Sequence, residues 1–351
     1  MASTGARDVV WHWVLLLSMV ALLTPGCEKD DDSDTEELVG NWFQRSDFEG
    51  VPRSAAVVFS IGNKAYVGLG YDGKDRVTDF WEYDANVNNW VRIADFPGAA
   101  RTGAVAFTIG SKGYVGTGYD GATRLKDFYE YDPSSNTWTQ VADFGGTARY
   151  GAVAFSISTK GYVCSGDDGN YQKDLWEYDR TANQWTQKTS LGGAKRRNAV
   201  AFVIDSKAYV CTGVNNGVYE DDLWVYDPAT SQWTGKRAIA NVSGDEYDDE
   251  YTAIVGTNKV AFTVSGKGYV ATGGNGTTGT SVWEYDPSTD LWTSRTGIEA
   301  SARMEAVGFA LGTRGYITTG RSGSYYFDDM WGFEPGAEQV DLDKVGSIVD
   351  P

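Results

Sequence analysis

The hydrophobic pattern of residues 42–335 has the period of β-strands and repeats along the chain. Each copy opens with a run of small apolar residues, such as Ala-Val-Ala-Phe at residues 104–107, and continues with a Tyr-Val or Tyr-Ile pair. A third segment alternates apolar with polar positions, as at residues 174–179, and a tryptophan follows in most copies. Such patterns are typical of short strands. We therefore predict four strands in each copy, named a to d in chain order, with strand a buried on both sides.

The copy is present six times. The tyrosines of strand b stand 48, 48, 47, 60 and 47 residues apart; they are Tyr66, Tyr114, Tyr162, Tyr209, Tyr269 and Tyr316. A unit of this length lies in the range of propeller blades. With Tyr and Trp at fixed spacing, the copies resemble the kelch repeat, in which each copy forms one four-stranded blade. The resemblance implies an all-β fold, a six-bladed kelch-type β-propeller over residues 41–335.

The copies depart from the kelch pattern at the double glycine expected after strand b. Gly273-Gly274 is assigned as the one intact pair, and other copies place Thr117, Ser165 or Thr212 at the first position. We expect the fold to tolerate this departure.

The number of tryptophans predicts how the ring closes. Six copies of strand c are followed by only five strand-d tryptophans, which are Trp90, Trp138, Trp185, Trp233 and Trp292. Trp42 lies 48 residues before Trp90 and ahead of the first strand a. We therefore predict that residues 41–44 form the outer strand of the last blade, which leaves no unpaired blade at the seam.

Residues 1–26 are predicted to be a lipoprotein signal peptide. They contain an apolar run at residues 9–23, and Leu-Thr-Pro-Gly-Cys at residues 23–27 resembles a bacterial lipoprotein cleavage site with Cys27 as the lipidated residue. Residues 27–40 are acidic and are predicted to be a disordered tether. They resemble the export signal of surface-exposed lipoproteins of the Bacteroidota, which implies a lipid anchor in the outer membrane and exposure at the cell surface. A plain solvated linker is the alternative, and residues 336–351 are assigned as a C-terminal tail.

Composition excludes several classes of function. The net charge of −18 opposes nucleic-acid binding, which depends on Lys and Arg, so no nucleic-acid partner is expected. The single histidine, His12, lies in the predicted signal peptide. A mature chain without histidine lacks the residues for Ser-His-Asp catalysis, for His-based zinc sites and for the copper site of galactose-oxidase-like relatives. We therefore expect no cofactor and no metal.

Two cysteines occupy one equivalent position. Cys164 and Cys211 follow the Tyr-Val pair of adjacent copies, where the other copies have Gly, Ala or Thr. A position restricted to small residues predicts buried thiols, and equivalent points on neighbouring blades should lie too far apart for a disulfide.

An arginine stands six residues before the strand-a phenylalanine in five copies; these are Arg53, Arg101, Arg149, Arg196 and Arg303. They are predicted near the mouth of the central channel, where guanidinium groups could bind an anion. The fifth copy favours a structural role instead. It has Gly256 at the arginine position, and it alone has Ser281 where the others begin strand c with aspartate. We therefore predict an Arg–Asp pair that clamps each of the other five blades.

The d-to-a and b-to-c loops of a propeller emerge on one face, which we call the variable face because these loops differ among the copies. Variable loops on a rigid scaffold are typical of binding surfaces. Their side chains suit carbohydrate hydroxyls or a protein partner, although turns also favour Asp-Gly for conformational reasons. The candidate binding residues are Tyr71, Arg76, Tyr119, Arg124, Tyr171, Tyr219, Tyr247, Tyr251, Arg321 and Tyr325.

The 60-residue interval contains an acidic insertion at residues 241–251. Clustered carboxylates could bind calcium, but their spacing matches no defined calcium loop, which favours a solvated loop.

Three functions agree with these features. The favoured one is a non-enzymatic surface module that binds a glycan or a protein through the variable face. The second is a sugar isomerase resembling the kelch-type N-acetylneuraminate epimerase, with Glu305 and Arg303 as the nearest acid–base candidates. The third is a structural subunit of an envelope complex.

Overall fold

The structure, a computed structural model, describes residues 39–239 and 251–340. Within these ranges the fold is all-β, and the only helical element is a 3-10 turn at Tyr251–Ile254. Six four-stranded antiparallel sheets form the six blades of a β-propeller, as predicted. Cys27, Tyr247 and most of the acidic insertion lie outside the described residues, so the predictions made for them stay predictions.

Strand β1 (Val39–Arg45) opens the described chain and belongs to the last blade. Blades one to three then follow in chain order. Blade one consists of β2 (Val57–Ile61), β3 (Lys64–Gly68), β4 (Phe80–Asp84) and β5 (Asn89–Arg92). Blade two consists of β6 (Val105–Ile109), β7 (Lys112–Gly116), β8 (Phe128–Asp132) and β9 (Thr137–Val141). Blade three consists of β10 (Val153–Ile157), β11 (Lys160–Asp167), β12 (Tyr171–Asp179) and β13 (Gln184–Lys188).

Blades four and six each carry an additional short hairpin in the b-to-c loop. Blade four consists of β14 (Val200–Ile204), β15 (Lys207–Cys211), the hairpin β16 (Val214–Asn215) and β17 (Val218–Tyr219), then β18 (Leu223–Asp227) and β19 (Gln232–Gly235). Blade five consists of β20 (Val260–Val264), β21 (Lys267–Ala271), β22 (Val282–Asp286) and β23 (Leu291–Arg295). Blade six consists of β24 (Val307–Leu311), β25 (Arg314–Thr318), the hairpin β26 (Arg321–Ser322) and β27 (Tyr325–Tyr326), β28 (Met330–Glu338) and β1.

The chain closes its own ring, which confirms the prediction made from the tryptophans. β1 pairs antiparallel with β28 and places Trp42 opposite Phe333, as Trp90 lies opposite Tyr83 in blade one. The Trp42 ring is fully buried and stacks on Phe333 with centroids 4.7 Å apart. Its Nε1 donates to the carbonyl oxygen of Thr296 in blade five at 2.9 Å. The first strand therefore completes blade six and also joins it to the preceding blade.

The hydrophobic core lies between neighbouring blades. Buried residues form six clusters, each made mainly of side chains from two successive blades. Phe59 of blade one, for example, stacks on Tyr66 at 4.9 Å and also contacts Tyr131 and Trp138 of blade two. Because each blade buries its apolar surface against the next, the closed ring is the stable unit.

The prediction that both sides of strand a are buried is wrong, because one of the two sides is partly exposed. In β6, Val105, Phe107 and Ile109 are buried, whereas Ala106 and Thr108 are partly exposed. The exposed side lines a central channel, and the six strands a contact one another in a closed cycle around it. They enclose a cavity of about 190 Å³ lined almost entirely by Ala and Val. Most side chains of the channel wall are small because six strands that converge on one axis leave little room there.

The structure also corrects the assignment of Gly273-Gly274 as an intact double glycine. In all six blades a residue other than glycine, near the end of strand b or just beyond it, has a left-handed φ of 56–62°; these residues are Leu69, Thr117, Ser165, Thr212, Thr272 and Thr319. Thr272 N donates to the carbonyl of Ser281, as Thr117 N donates to that of Asp127, which sets the register. Gly273 therefore corresponds to the second glycine of the pair. A left-handed conformation costs such residues about 1–2 kcal/mol, which the surrounding contacts must offset.

The two described cysteines occupy the predicted packing position. Cys164 pairs with Val153 and Cys211 with Val200, and both side chains are fully buried free thiols. Burial raises the pKa of each thiol to about 12. The prediction of buried thiols without a disulfide is confirmed.

Candidate functional site

A ring of main-chain hydrogen bonds surrounds the channel mouth on the variable face. One residue of each d-to-a loop takes part, and we call these residues the mouth ring: Ala55, Gly103, Gly151, Asn198, Asn258 and Glu305. All six have φ between 52° and 61°. At five of the six junctions between blades, the amide of a mouth-ring residue donates to the carbonyl of the mouth-ring residue of the preceding blade, at N–O distances of 2.8–3.4 Å. At the sixth, Thr257 Oγ1 donates to the Asn198 carbonyl at 3.3 Å. The variable loops therefore start from a rigid base.

The five predicted arginines clamp their own blades. Each forms a two-point pair with the aspartate at the start of strand c, with Nη1–Oδ1 distances of 2.5–2.7 Å; the pairs are Arg53–Asp79, Arg101–Asp127, Arg149–Asp174, Arg196–Asp222 and Arg303–Asp329. The predicted Arg–Asp pairing is thus present in five blades. Burial of Asp79 acts to raise the pKa of its carboxyl, but the hydrogen bond and the charge of Arg53, with a hydrogen bond from Trp81, together outweigh burial and hold that pKa below its usual value.

The clamp arginines also donate to main-chain carbonyl groups. Nη1 of Arg101 donates to the carbonyl of Thr117 at 3.0 Å, and Nε donates to that of Ala99 at 2.8 Å. Its guanidinium carbon lies 4.9 Å from the centroid of the Phe96 ring. The other four repeat the carbonyl bonds, and all five are at most 1% exposed. Such arginines hold the loops in place and have no exposed donor for a ligand, which argues against Arg303 as an acid–base residue.

Blade five replaces the clamp with a lysine. Lys259 stands at a channel-wall position that is alanine in the five other blades. Its Nζ donates to the carbonyl of Thr272 at 2.9 Å and to that of Ala253 at 3.2 Å. Burial lowers the pKa of Lys259 to about 8, and no carboxylate in the described residues forms an ion pair with it. Lys259 was missed in the sequence, although alignment of the six copies would have shown a lysine in a column of alanines.

Tyrosine and arginine side chains contact one another around one side of the mouth ring. Tyr326 of blade six meets Tyr71 of blade one edge to face, with ring centroids 6.0 Å apart. The guanidinium of Arg76 lies 5.6 Å from the Tyr71 centroid and 5.4 Å from that of Tyr119 in blade two. The hydroxyl of Tyr119 donates to the Gly121 carbonyl at 2.8 Å, which orients the ring.

The row continues through blades two and three. Tyr119 lies 5.7 Å from Tyr150 between ring centroids. The guanidinium groups of Arg124 and Arg197 lie 5.6 Å and 5.4 Å from the Tyr150 centroid, and Arg197 also lies 5.3 Å from Tyr171. We call the whole set the Tyr–Arg band: Tyr326, Tyr71, Arg76, Tyr119, Arg124, Tyr150, Arg197 and Tyr171. Cation–π contacts of this kind hold both partners in fixed orientations.

One buried carboxylate supports the far end of the band. Asp167 is 6% exposed and lies 3.1 Å from Nη2 of Arg124 and 3.0 Å from Nη1 of Arg197. Asp167 occupies in blade three the position that Tyr71 and Tyr119 occupy in blades one and two. Each of these residues forms a β-bridge with the d-to-a loop that precedes its blade. Tyr150, Asp167, Arg197 and Tyr326 were not among the predicted site residues. Their contacts join different blades, and only a column-by-column comparison of the copies would have suggested Asp167.

The other predicted residues lie apart from the band. Arg321 forms a pair with Glu305 of the mouth ring, with Nε 2.7 Å from Oε2, and Tyr325 is exposed beside Phe327. Tyr219 lies in hairpin β16–β17. Tyr251 is a correction: it is only 6% exposed and packs against Trp283 at 5.7 Å, so it belongs to the core. It is buried because the 3-10 turn directs it inward between blades four and five.

In the described part of the chain, no group of His, Cys, Asp and Glu side chains is arranged to hold a metal ion. The same part contains no helix that is long and apolar enough to span a membrane.

Comparisons with known proteins agree with the architecture. A family model described as the kelch motif matches residues 100–145 and 195–235, which fall in blades two and four. No curated protein matches the sequence. A solved structure titled "Structure of YjhT" is similar, with a TM-score of 0.69, 17% identity, and coverage of 82% of this chain and 95% of the other. Because 896 solved chains match, this likeness establishes the fold without selecting a function.

Proposed function

We propose that this kelch-repeat β-propeller is a glycan-binding module and that the Tyr–Arg band is its binding surface. The band is the observation that carries the proposal. It presents aromatic rings and guanidinium donors on the face with the most varied loops, above the rigid mouth ring. Stacking and the Asp167 pairs hold these side chains in place before any ligand arrives, which lowers the entropy cost of binding.

The surface favours a glycan over a protein partner. Protein interfaces have an apolar core with large buried anchors. On the variable face, the exposed large hydrophobic side chains in the described residues belong to three different blades; they are Val51, Val218 and Tyr325. Sugar hydroxyls, in contrast, match polar donors and acceptors set among aromatic rings.

The proposal places the propeller at the cell surface of a bacterium, held in the outer membrane by a lipid on Cys27. The apolar run at residues 9–23, the cleavage-site resemblance and the acidic tether support this location. Substitution Cys27→Ser should move the protein from the membrane fraction to the soluble fraction. Protease treatment of intact cells should degrade the wild-type protein if it faces outward, and protection would contradict surface exposure.

The isomerase alternative finds less support. Of its two candidate residues, Arg303 is fully buried in a clamp and Glu305 is paired with Arg321. A general acid or base must reach the proton that it transfers.

A glycan array tests the proposal. The wild-type protein should bind a restricted set of glycans, and Tyr119→Ala and Tyr171→Ala should each weaken binding about tenfold or more, as expected for aromatic anchors. Arg180→Ala is the control, since Arg180 lies in a c-to-d turn on the opposite face and pairs with Glu130. Absence of glycan binding, together with recovery of a stable protein complex from solubilised outer membrane, would favour the structural subunit.

A further inference from the structure

Arg76 lies in the Tyr–Arg band without an ion pair among the described residues, although its charge interacts with the carboxylate of Asp120. Its guanidinium is held between the rings of Tyr71 and Tyr119. Across residues 39–239 and 251–340, no group accepts a hydrogen bond from this side chain and no carboxylate forms an ion pair with it; the buried Nε has no partner. The two rings therefore fix the position of a cation whose donors are unused.

The neighbouring blade shows how the same arginine position is completed. Arg124 follows Tyr119 at the spacing at which Arg76 follows Tyr71, and both pairs form the same backbone bridge. Arg124 lies over the Tyr150 ring and has a carboxylate acceptor, Asp167 of the next blade, at 3.1 Å. For Arg76 the next blade places Tyr119 at that position, so the internal carboxylate is absent.

We infer that Arg76 binds a carboxylate of the ligand and that the glycan bound by the variable face contains an acidic sugar of the uronic-acid class. This inference rests on the proposed function. The ligand's carboxylate accepts from the guanidinium in the way that Asp167 accepts from Arg124. A planar guanidinium can bind both carboxylate oxygens, and such charge-assisted bonds are about twice as strong as neutral ones.

The surroundings of Arg76 leave space for a sugar. A cavity of about 360 Å³ lies beside it, lined also by Val51, Asp72, Asp79 and Arg92, among others. This volume falls within the range of small-molecule sites, roughly 300–1,000 Å³.

Two carboxylates of this cavity are already engaged. Asp79 is paired with Arg53, and Asp72 Oδ1 accepts from the amides of Lys74 and Asp75 at 2.8 Å and 2.7 Å. They remain acceptors for sugar hydroxyls, while the positive charge of Arg76 is left for the acidic group.

Gly121 creates the room in which the guanidinium lies. A Cβ added to Gly121 would lie 2.5 Å from Nη1 of Arg76, so a side chain here would displace it. Gly121 has φ of +104°, a conformation that also favours glycine.

The test compares uronic-acid oligosaccharides with the same oligosaccharides after chemical reduction of their carboxyl groups. We expect the wild-type protein to bind the acidic form at least tenfold more tightly, by titration calorimetry. Arg76→Gln should abolish this preference, so that the ratio of the two affinities falls to about one, and Arg76→Lys should retain it only in part, because a lysine retains charge but lacks the planar fork. Tyr119→Asp should also abolish the preference, because it supplies Arg76 with an internal carboxylate.

Arg124→Gln is the matched control, with the same change of charge in the same band. It should retain the preference for the acidic form, because Arg124 is already paired with Asp167. Equal binding of both forms by the wild-type protein, or an unchanged preference in Arg76→Gln, would overturn the inference while leaving the glycan-binding function intact. If the protein bound neither form and no arrayed glycan, both the inference and the glycan-binding function would be overturned.

Discussion

Lys259 Nζ donates a hydrogen bond to the carbonyl oxygen of Thr272 over 2.9 Å. In the five other blades the equivalent carbonyl accepts from Nη1 of a clamp arginine, as in Arg101 with Thr117. A residue of the channel wall thus replaces the clamp in the one blade that lacks it. The aspartate is replaced too, by Ser281, so the exchange leaves a partly buried cation of the channel wall without the carboxylate that compensates the arginine elsewhere.

The first prediction concerns the pH dependence of stability. The pKa of Lys259 is about 8 in the folded protein, whereas an unperturbed lysine has a pKa of about 10.4. Between these values the unfolded chain binds more protons than the folded one. The free energy of unfolding should therefore rise with pH across this window, by up to about 1.4 kcal/mol per pH unit.

Urea denaturation near both ends of the window measures this contribution. Lys259→Met should remove the rise, whereas Lys267→Met should keep it, because Lys267 is partly exposed and paired with Asp286 in the same blade. Parallel pH profiles for wild type and Lys259→Met would show that burial of this lysine does not affect stability.

The second prediction concerns the clamps. Arg101→Ala should lower the free energy of unfolding by about 3–5 kcal/mol, because it removes a fully buried side chain and leaves the partly buried Asp127 without its partner. Combining Arg101→Gly, Asp127→Ser and Ala104→Lys reproduces blade five and should recover part of the loss. Arg180→Ala, which breaks an exposed pair with Glu130, should cost at most about 1 kcal/mol. A thermal melt of Arg101→Ala that matches wild type would contradict the clamp role.

The third prediction concerns the seam of the ring. Trp42→Ala should destabilise the protein by about 3–5 kcal/mol, because it empties a buried site between blades five and six. Deletion of Val39–Arg45 should abolish cooperative unfolding, since blade six loses its outer strand. Trp233→Ala is the comparison: Trp233 sits in a blade whose sheet is continuous in sequence and is itself partly exposed, so it should cost less. An unchanged melting temperature after the deletion would show that β1 does not close the ring.

The fourth prediction concerns the cysteines. Cys164 and Cys211 should resist iodoacetamide in the native protein, because the thiols are fully buried and the reactive thiolate is rare when the pKa is about 12. Both should react after unfolding, and mass spectrometry counts the added groups. A reducing agent should leave the melting temperature unchanged. Rapid labelling of either thiol under native conditions would show that its blade opens locally.

Much of the fold could be predicted because its evidence lies within single repeats. Tyr and Trp recur at a blade-length interval, and extending the interval backwards from Trp90 to Trp42 was enough to predict closure. The Arg–Asp clamps could also be predicted, since the arginine and the aspartate are replaced together in one repeat, by Gly256 and Ser281. These features are local and periodic, so they can be read along one chain.

The site depended on contacts that periodicity does not encode. Arg76 lies between tyrosines of two blades, Asp167 joins arginines from two loops, and Lys259 reaches into the place of an arginine that its own blade lacks. Tyr251 was assigned to the surface, but the path of its irregular loop turns it into the core. The repeat thus determined the number of blades, the strands and the closure of the ring. The pairing of loop side chains was decided only when neighbouring blades packed together, because it depends on side-chain directions across blade boundaries.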